Sequence, residues 1–135
     1  MKKLFFILLF IIVTNVFGQI NQELINFQSA NPFSLSDIIN DLDNQEKQNV
    51  FGKLTIPFDN LNPKKKYPLI IGIAGSMGWR KHHLDYIKMY QEEGFATFEL
   101  NSFKSRGIDS TVGSQNQVTI AAIILDSYRA LEKLA

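Results

Sequence analysis

Cysteine is absent from the 135 residues of this chain. The protein therefore forms no disulfide bond and carries no lipoprotein anchor, since that anchor is attached to a cysteine. A cysteine-free chain suits a bacterial periplasm, where thiols are at risk of oxidation. Neither sign of charge dominates, because 14 basic residues stand against 13 acidic ones. Without a basic stripe, nucleic acid is not an expected partner.

The sequence also lacks an apolar run long enough to span a bilayer. Its longest run, Leu4–Val13, has ten residues and follows two lysines, whereas a membrane-spanning helix needs about 20. This layout is typical of a secretory signal peptide over residues 1–18, with Val16 and Gly18 ahead of cleavage before Gln19. We therefore expect an exported bacterial protein, periplasmic or secreted. The alternative is an uncleaved segment, which would be its one contact with a membrane.

The stretch Tyr67–Trp79 organises the rest of the chain. The short apolar run Leu69–Ala74 predicts a strand buried on both faces, as in a parallel sheet covered by helices. Gly75 and Gly78 then allow a ligand to approach the main chain closely. Because ligands of parallel sheets bind beyond the carboxyl ends of the strands, the loop from 75 to 78 is the best candidate for an active-site wall.

Residues 19–48 are predicted to be a polar N-terminal extension with one short helix. Ser34 offers a side-chain oxygen to the first turn of that helix, which runs to about Leu42. Its buried stripe is expected to consist of Ile38, Ile39 and Leu42. The acidic segment Asp41–Glu46 is predicted to be a solvated loop. The alternative, a metal site, lacks a loop glycine and regular ligand spacing, and we expect neither a metal nor a cofactor.

Residues 49–135 alternate between strand and helix patterns. Val50–Ile56 predicts an antiparallel strand near the edge of the sheet. The helix after Trp79 has Leu84, Ile87 and Tyr90 on its apolar face, widened by Tyr86 and Met89, and Gly94 is expected to end it. Phe95–Leu100 then forms a second parallel strand. Strand, helix and strand together predict a parallel crossover.

A final helix is predicted from Val118 to the end of the chain. Its apolar stripe is expected to contain Ile120, Ile124, Tyr128 and Leu131, joined by Ala121, Leu125 and Leu134. Its solvent-facing side is expected to contain Asp126, Arg129, Glu132 and Lys133.

Four polar or aromatic side chains near the predicted loops have two interpretations each. His82 and His83 point about 100° apart on a helix and cannot share one small site, so we expect an exposed helix start and not a catalytic or metal-binding pair. Trp79 is expected to wedge its loop against the sheet; stacking on a substrate is the alternative. Arg106 either ties its loop to neighbouring segments, which we favour, or holds an anionic group.

Several segments, in this order, resemble the dienelactone hydrolase family of the α/β-hydrolase fold: Tyr67–Trp79, Gly94–Phe103 and Ser105–Ile108. Asp126–Leu131 looks like the family's helix before the nucleophile strand. Ser29–Ile39 is similar to the lead-in of its exported branch. The likeness covers most of the chain after the signal peptide. It implies a partial α/β-hydrolase-type doubly wound, mostly parallel sheet.

The resemblance also implies roles for residues of the first loop. Ala74 stands where the family usually has a histidine, which a site made of backbone amides does not need. The backbone amide of Ser76, with Met77 as its neighbour, is expected in the oxyanion hole. The active-site loops are expected to include Gly75, Gly78, Trp79 and Arg106.

The nucleophile of this fold is absent from the sequence. That residue lies in a Gly-x-Ser-x-Gly or Gly-x-Cys-x-Gly elbow, followed by an acid and a histidine, and no such elbow occurs here. We therefore expect no catalytic residue within the chain, and interpret residues 49–135 as the N-terminal half of a hydrolase domain. The full-length enzyme would act on a small-molecule ester or lactone. The alternative is a non-catalytic binding or interaction module derived from the same fold.

Overall fold

A computed structural model of the chain describes residues 20–57 and 65–135. Its strands form one sheet in the order β1-β2-β4-β3, with bounds Ile20–Ala30 (β1), Lys47–Pro57 (β2), Leu69–Ile73 (β3) and Ala96–Leu100 (β4). Its α-helices span Leu35–Asn40 (α1), Lys81–Glu92 (α2) and Ile120–Leu134 (α3). The predicted signal peptide lies outside the described residues. Within the described ranges, no helix is both long and apolar enough to cross a membrane.

The predicted parallel crossover is confirmed. β3 pairs in parallel with β4, from Leu69 opposite Ala96 to Ile73 opposite Leu100, and α2 connects the two strands. Gly94 follows α2 with a φ of 85°, the left-handed conformation that ends many helices and that glycine adopts without strain. All five residues of β4 are buried, so this strand forms the centre of the sheet.

The sheet is mixed and not mostly parallel, which corrects the sequence-based expectation. β2 pairs antiparallel with both β1 and β4, so the described sheet has two antiparallel pairs and one parallel pair. β2 consequently lies one strand in from the edge. The edge position belongs to β1, a strand of 11 residues within the segment predicted to be an extension. The sequence did not predict this strand because polar side chains alternate with the inward-facing Ile25, Phe27 and Ser29.

β3 is half-buried, whereas the sequence predicted burial on both faces. Leu69, Ile70 and Ile71 are partly exposed, and Ile73 is 50% exposed. The physical reason is position: β3 is the other edge strand, and no described strand pairs with its outer side.

The helices lie on both faces of the sheet. On one face, Ala130 of α3 joins a core of Phe27, Val50, Phe98 and Leu100. On the other face, Ile87 of α2 approaches so closely that a Cβ added to Gly72 would lie 2.9 Å from its Cδ1 atom. This three-layer arrangement leaves the carboxyl ends of β3 and β4 open between the layers.

The short helix α1 has the predicted cap but not the predicted buried stripe. The Ser34 hydroxyl accepts a hydrogen bond from the Asp37 amide, and the Asp37 carboxylate accepts one from the Ser34 amide. No residue of α1 is buried, and Ile39 is 78% exposed. Local capping therefore determines where α1 begins, although the helix only rests on the surface.

The apolar faces of α2 and α3 differ from those predicted. In α2 only Ile87 is buried, while Tyr86 and Met89 are exposed. In α3 the exposed residues include Ile120 and Tyr128, and Asp126 is completely buried. Of the predicted stripe of α3, Ala121 and Leu125 are buried, together with Ala122 and Ala130. The alanines let the helix approach the sheet closely.

Candidate functional site

A pocket of about 380 Å³ opens at the carboxyl ends of β3 and β4. The loop after β3 contributes Met77, Gly78 and Trp79 to its wall, and the loop after β4 contributes Ser102 and Lys104. The parallel pairing of the two strands brings these loops together, because parallel strands end at the same edge of a sheet. The pocket therefore lies where the sequence predicted an active-site wall.

The first loop is a tight turn with Ser76 and Met77 at its tip. The Gly78 amide donates to the Gly75 carbonyl oxygen at 2.8 Å. Gly78 has a φ of 71°, and a Cβ there would lie 2.8 Å from the carbonyl oxygen of Asp109. Both observations require glycine at position 78, because a side chain would meet rigid backbone in a conformation that it resists.

The turn leaves two backbone donors available. The Ser76 carbonyl oxygen accepts from the Thr111 amide at 2.8 Å and from the Ser110 hydroxyl at 3.0 Å, so a neighbouring loop fixes the orientation of the turn. Neither the Ser76 amide nor the Met77 amide donates to another described residue. Met77 lines the pocket, whereas Ser76 does not. Of the two amides assigned by resemblance, that of Met77 therefore belongs to a residue of the pocket wall.

Trp79 wedges the first loop against the sheet, as the sequence predicted. Its indole Nε1 donates to the Leu100 carbonyl oxygen at 3.0 Å. A Cβ at Gly72 would lie 2.8 Å from the Trp79 ring, so the indole occupies the space that this glycine leaves free. The ring also lines the pocket. It thus holds the loop after β3 against the carboxyl end of β4.

Arg106 binds the protein itself, which confirms the favoured interpretation that it ties its loop to neighbouring segments; the expectation that it belongs to the active-site loops is not met, because its side chain does not line the pocket. Its guanidinium donates five hydrogen bonds: to both Asp126 carboxylate oxygens, to Asn31 Oδ1 and to the carbonyl oxygens of Ala30 and Ser102. These bonds use all five N–H donors of an arginine side chain. The side chain is 6% exposed and does not line the pocket. Arg106 therefore acts on the site indirectly, by holding the carbonyl group of Ser102.

The paired histidines belong to the start of α2. His83 Nδ1 accepts a hydrogen bond from the Arg80 amide at 3.1 Å. This bond satisfies one of the backbone N–H groups that have no acceptor within the helix. The His82 side chain is exposed, and its ring centre lies 3.9 Å from the ring centre of His83. The two rings therefore lie side by side, which corrects the expectation that they diverge. Across residues 20–57 and 65–135, no three metal-ligating side chains come together. The geometry is that of a helix start with one capping histidine.

The sequence analysis missed two buried polar residues that line the pocket, Glu99 and Ser102. Glu99 is 7% exposed and pairs with Lys53 at 2.7 Å. Ser102 is 6% exposed, and its hydroxyl has no hydrogen-bond partner in the described ranges. Their position at the carboxyl end of β4 is the signal that could have identified them.

Comparison with known proteins does not indicate a function, so the geometry of the pocket is the basis for the proposal below. No protein-family model matches the sequence, and no curated protein is significantly similar to it. The described residues around the pocket include serine and aspartate but no histidine. The site thus offers backbone donors and a shaped wall, without the histidine that would activate a nucleophile.

Proposed function

We propose that the turn from Gly75 to Gly78 is one half of the oxyanion hole of an exported, dienelactone hydrolase-like enzyme acting on small carboxylic esters or lactones. The observation that carries this proposal is the pair of available amides in this turn: that of Met77, which lines the pocket, and that of its neighbour Ser76. They lie between β3 and the helix that follows it. In α/β-hydrolases the loop between the third strand and the next helix supplies an oxyanion amide.

The proposed reaction follows the acyl-enzyme route. A serine or cysteine, activated by a histidine that an aspartate orients, attacks the ester carbonyl carbon. The carbonyl oxygen becomes an oxyanion, and the preorganised amides of the turn donate hydrogen bonds to it. The alcohol leaves with a proton from the histidine, and water then releases the acid. This chain contributes the turn and the pocket wall; no cofactor is needed.

The sheet edge at β3 supports the idea that the nucleophile strand is added there. β3 is a strongly apolar strand with an unpaired outer side in the described part of the chain. α3 leaves Ile120 74% exposed and Tyr128 64% exposed. An added parallel strand, with the helix that follows it, would bury apolar surface of this kind.

The reading frame beyond codon 135 tests this proposal most directly. We expect a short loop, an apolar strand and a Gly-x-Ser-x-Gly or Gly-x-Cys-x-Gly elbow within about 30 residues, and later an acid and a histidine. DNA sequencing past that codon gives the answer. A stop codon with no elbow downstream in any frame would contradict the enzyme proposal for this chain.

The oxyanion role can then be tested in the longer product. Ser76→Pro removes the Ser76 amide donor, while Ser76→Ala keeps it and serves as the matched control. Proline suits the first central position of a turn, so the fold should survive, and a thermal melt checks this. If Ser76 is the donor, kcat for a p-nitrophenyl ester falls about 10²- to 10³-fold in Ser76→Pro alone. Unchanged kcat would show that the Ser76 amide donates nothing to the oxyanion.

A binding module without chemistry is the second candidate. The pocket of about 380 Å³ is lined by described residues, and its size lies within the range of small-molecule sites. A binding module predicts that residues 19–135 fold cooperatively and remain soluble. The hydrolase proposal predicts that this segment is less stable than the longer product and aggregates more readily, and that it hydrolyses no ester. A thermal melt with size-exclusion chromatography, followed by an esterase assay, distinguishes the two.

A further inference from the structure

The outer side of β1 is a long, regular sheet edge. Its 11 residues pair one-to-one with β2, from Ile20 opposite Pro57 to Ala30 opposite Lys47, so no bulge interrupts the strand. Among the described elements, β2 pairs along one side of β1 and α3 packs across one face. The other side of β1 has no strand partner in the described ranges; at its last residue, the Ala30 carbonyl oxygen accepts a hydrogen bond from Arg106. An edge of this kind is a template for pairing with another strand.

β1 lacks the devices that usually keep sheet edges apart. Its sequence contains no proline, lysine or arginine, and Glu23 is its single charged residue. Proline, lysine and bulges are the common means of preventing edge-to-edge pairing. On the face away from α3, the side chains between residues 22 and 28 are three amides and one leucine, all exposed: Gln22, Leu24, Asn26 and Gln28.

We propose that β1 pairs antiparallel with β1 of a second copy of this chain, which joins two four-stranded sheets into one of eight strands. The register that pairs all 11 residues places Ile25 opposite the partner's Ile25, because β1 runs from residue 20 to residue 30. Two identical strands related by a two-fold axis make a self-complementary interface. This inference does not depend on the proposed hydrolase function.

The charge pattern favours a second copy in this register. Glu23 lies opposite the partner's Phe27, so no like charges meet. Gln22 lies opposite the partner's Gln28, and two exposed amides at such positions can exchange hydrogen bonds across the strands. Ile25 and Phe27, which face the core within each copy, continue the apolar layer across the two-fold axis.

Introducing like or opposite charges at Gln22 and Gln28 tests both the dimer and its register. The double variant Gln22→Lys with Gln28→Lys places two lysines opposite each other at both ends of the paired strands. We expect its dimer dissociation constant to rise about tenfold or more, because like charges at directly opposed positions repel. The double variant Gln22→Lys with Gln28→Glu places opposite charges at the same positions, and we expect it to remain a dimer.

The matched control is Gln115→Lys with Gln117→Lys, which adds the same charge at two exposed positions between β4 and α3. All variants are expressed with their own N-terminal segment in an exporting bacterial host, purified as the host processes them, and compared by analytical ultracentrifugation and circular dichroism. We expect the wild type and the control to be dimers. A monomeric wild type, or equal dissociation constants for the two Gln22/Gln28 double variants, would overturn the proposal.

Discussion

Arg106 and Asp126 form a buried, two-pronged ion pair that ties the loop after β4 to α3. The Arg106 Nη1 and Nη2 atoms lie 2.8 Å and 3.1 Å from the two Asp126 carboxylate oxygens. The arginine side chain is 6% exposed and the aspartate side chain 0%. Ser29 of β1 also donates to Asp126. The pair therefore connects the first strand, a wall of the pocket and the last helix.

Asp126→Asn is expected to destabilise the protein by about 3–5 kcal/mol, because it leaves the buried charge of Arg106 uncompensated. Urea denaturation measures the change in the free energy of unfolding. Glu132→Gln on the same helix is the matched control, since its pair with Arg129 is solvent-exposed and should be worth less than about 1 kcal/mol. Equal effects of the two substitutions would mean that the buried pair contributes no more than a surface pair.

Gly72→Ala is expected to destabilise the protein by about 1–3 kcal/mol, as is usual when a packed core receives an extra methyl group. The new Cβ would lie 2.8 Å from the Trp79 ring and 2.9 Å from Ile87. Gly75→Ala is the control, because a Cβ there meets no atom within 4 Å. Trp79 is the only tryptophan in the chain, so a change in its fluorescence in Gly72→Ala alone would report the displaced indole.

Two buried serines should respond differently to alanine. Ser102→Ala is expected to leave the free energy of unfolding unchanged or to raise it slightly. The Ser102 hydroxyl is buried without a hydrogen-bond partner in the described ranges, and such a group costs desolvation free energy. Ser29→Ala removes the hydroxyl that donates to Asp126 and should cost about 1–3 kcal/mol. Thermal and urea denaturation of both variants make the comparison. Substantial destabilisation by Ser102→Ala would indicate that a water or ligand uses this hydroxyl.

The exported protein is expected to begin at Gln19. We expect the two lysines and the apolar run Leu4–Val13 to direct export, and a signal peptidase then to remove residues 1–18. N-terminal sequencing of protein recovered from the periplasm measures the cleavage site. Recovery of chains that retain Met1 in the membrane fraction would support an uncleaved anchor instead.

Much of the fold was predictable from local sequence patterns. The crossover through β3, α2 and β4 follows from one apolar run, one helical period and the stop at Gly94, all of which act within a few residues. The Ser34 cap and the turn between Gly75 and Gly78 are equally local. The candidate site was located by the same means, because a loop after a parallel strand must lie at the carboxyl edge of the sheet.

Only the tertiary structure decided which partners these elements meet. The pattern of β1 is too polar to predict a strand by itself, and its pairing with β2 supplies the hydrogen bonds that stabilise it. The helical pattern predicted a solvent-facing Asp126. In the structure its carboxylate is buried, where it pairs with the guanidinium of Arg106, 20 positions away in the sequence. A charge can be buried only where an opposite charge and hydrogen bonds compensate for lost hydration, and that compensation depends on contacts that no local pattern contains.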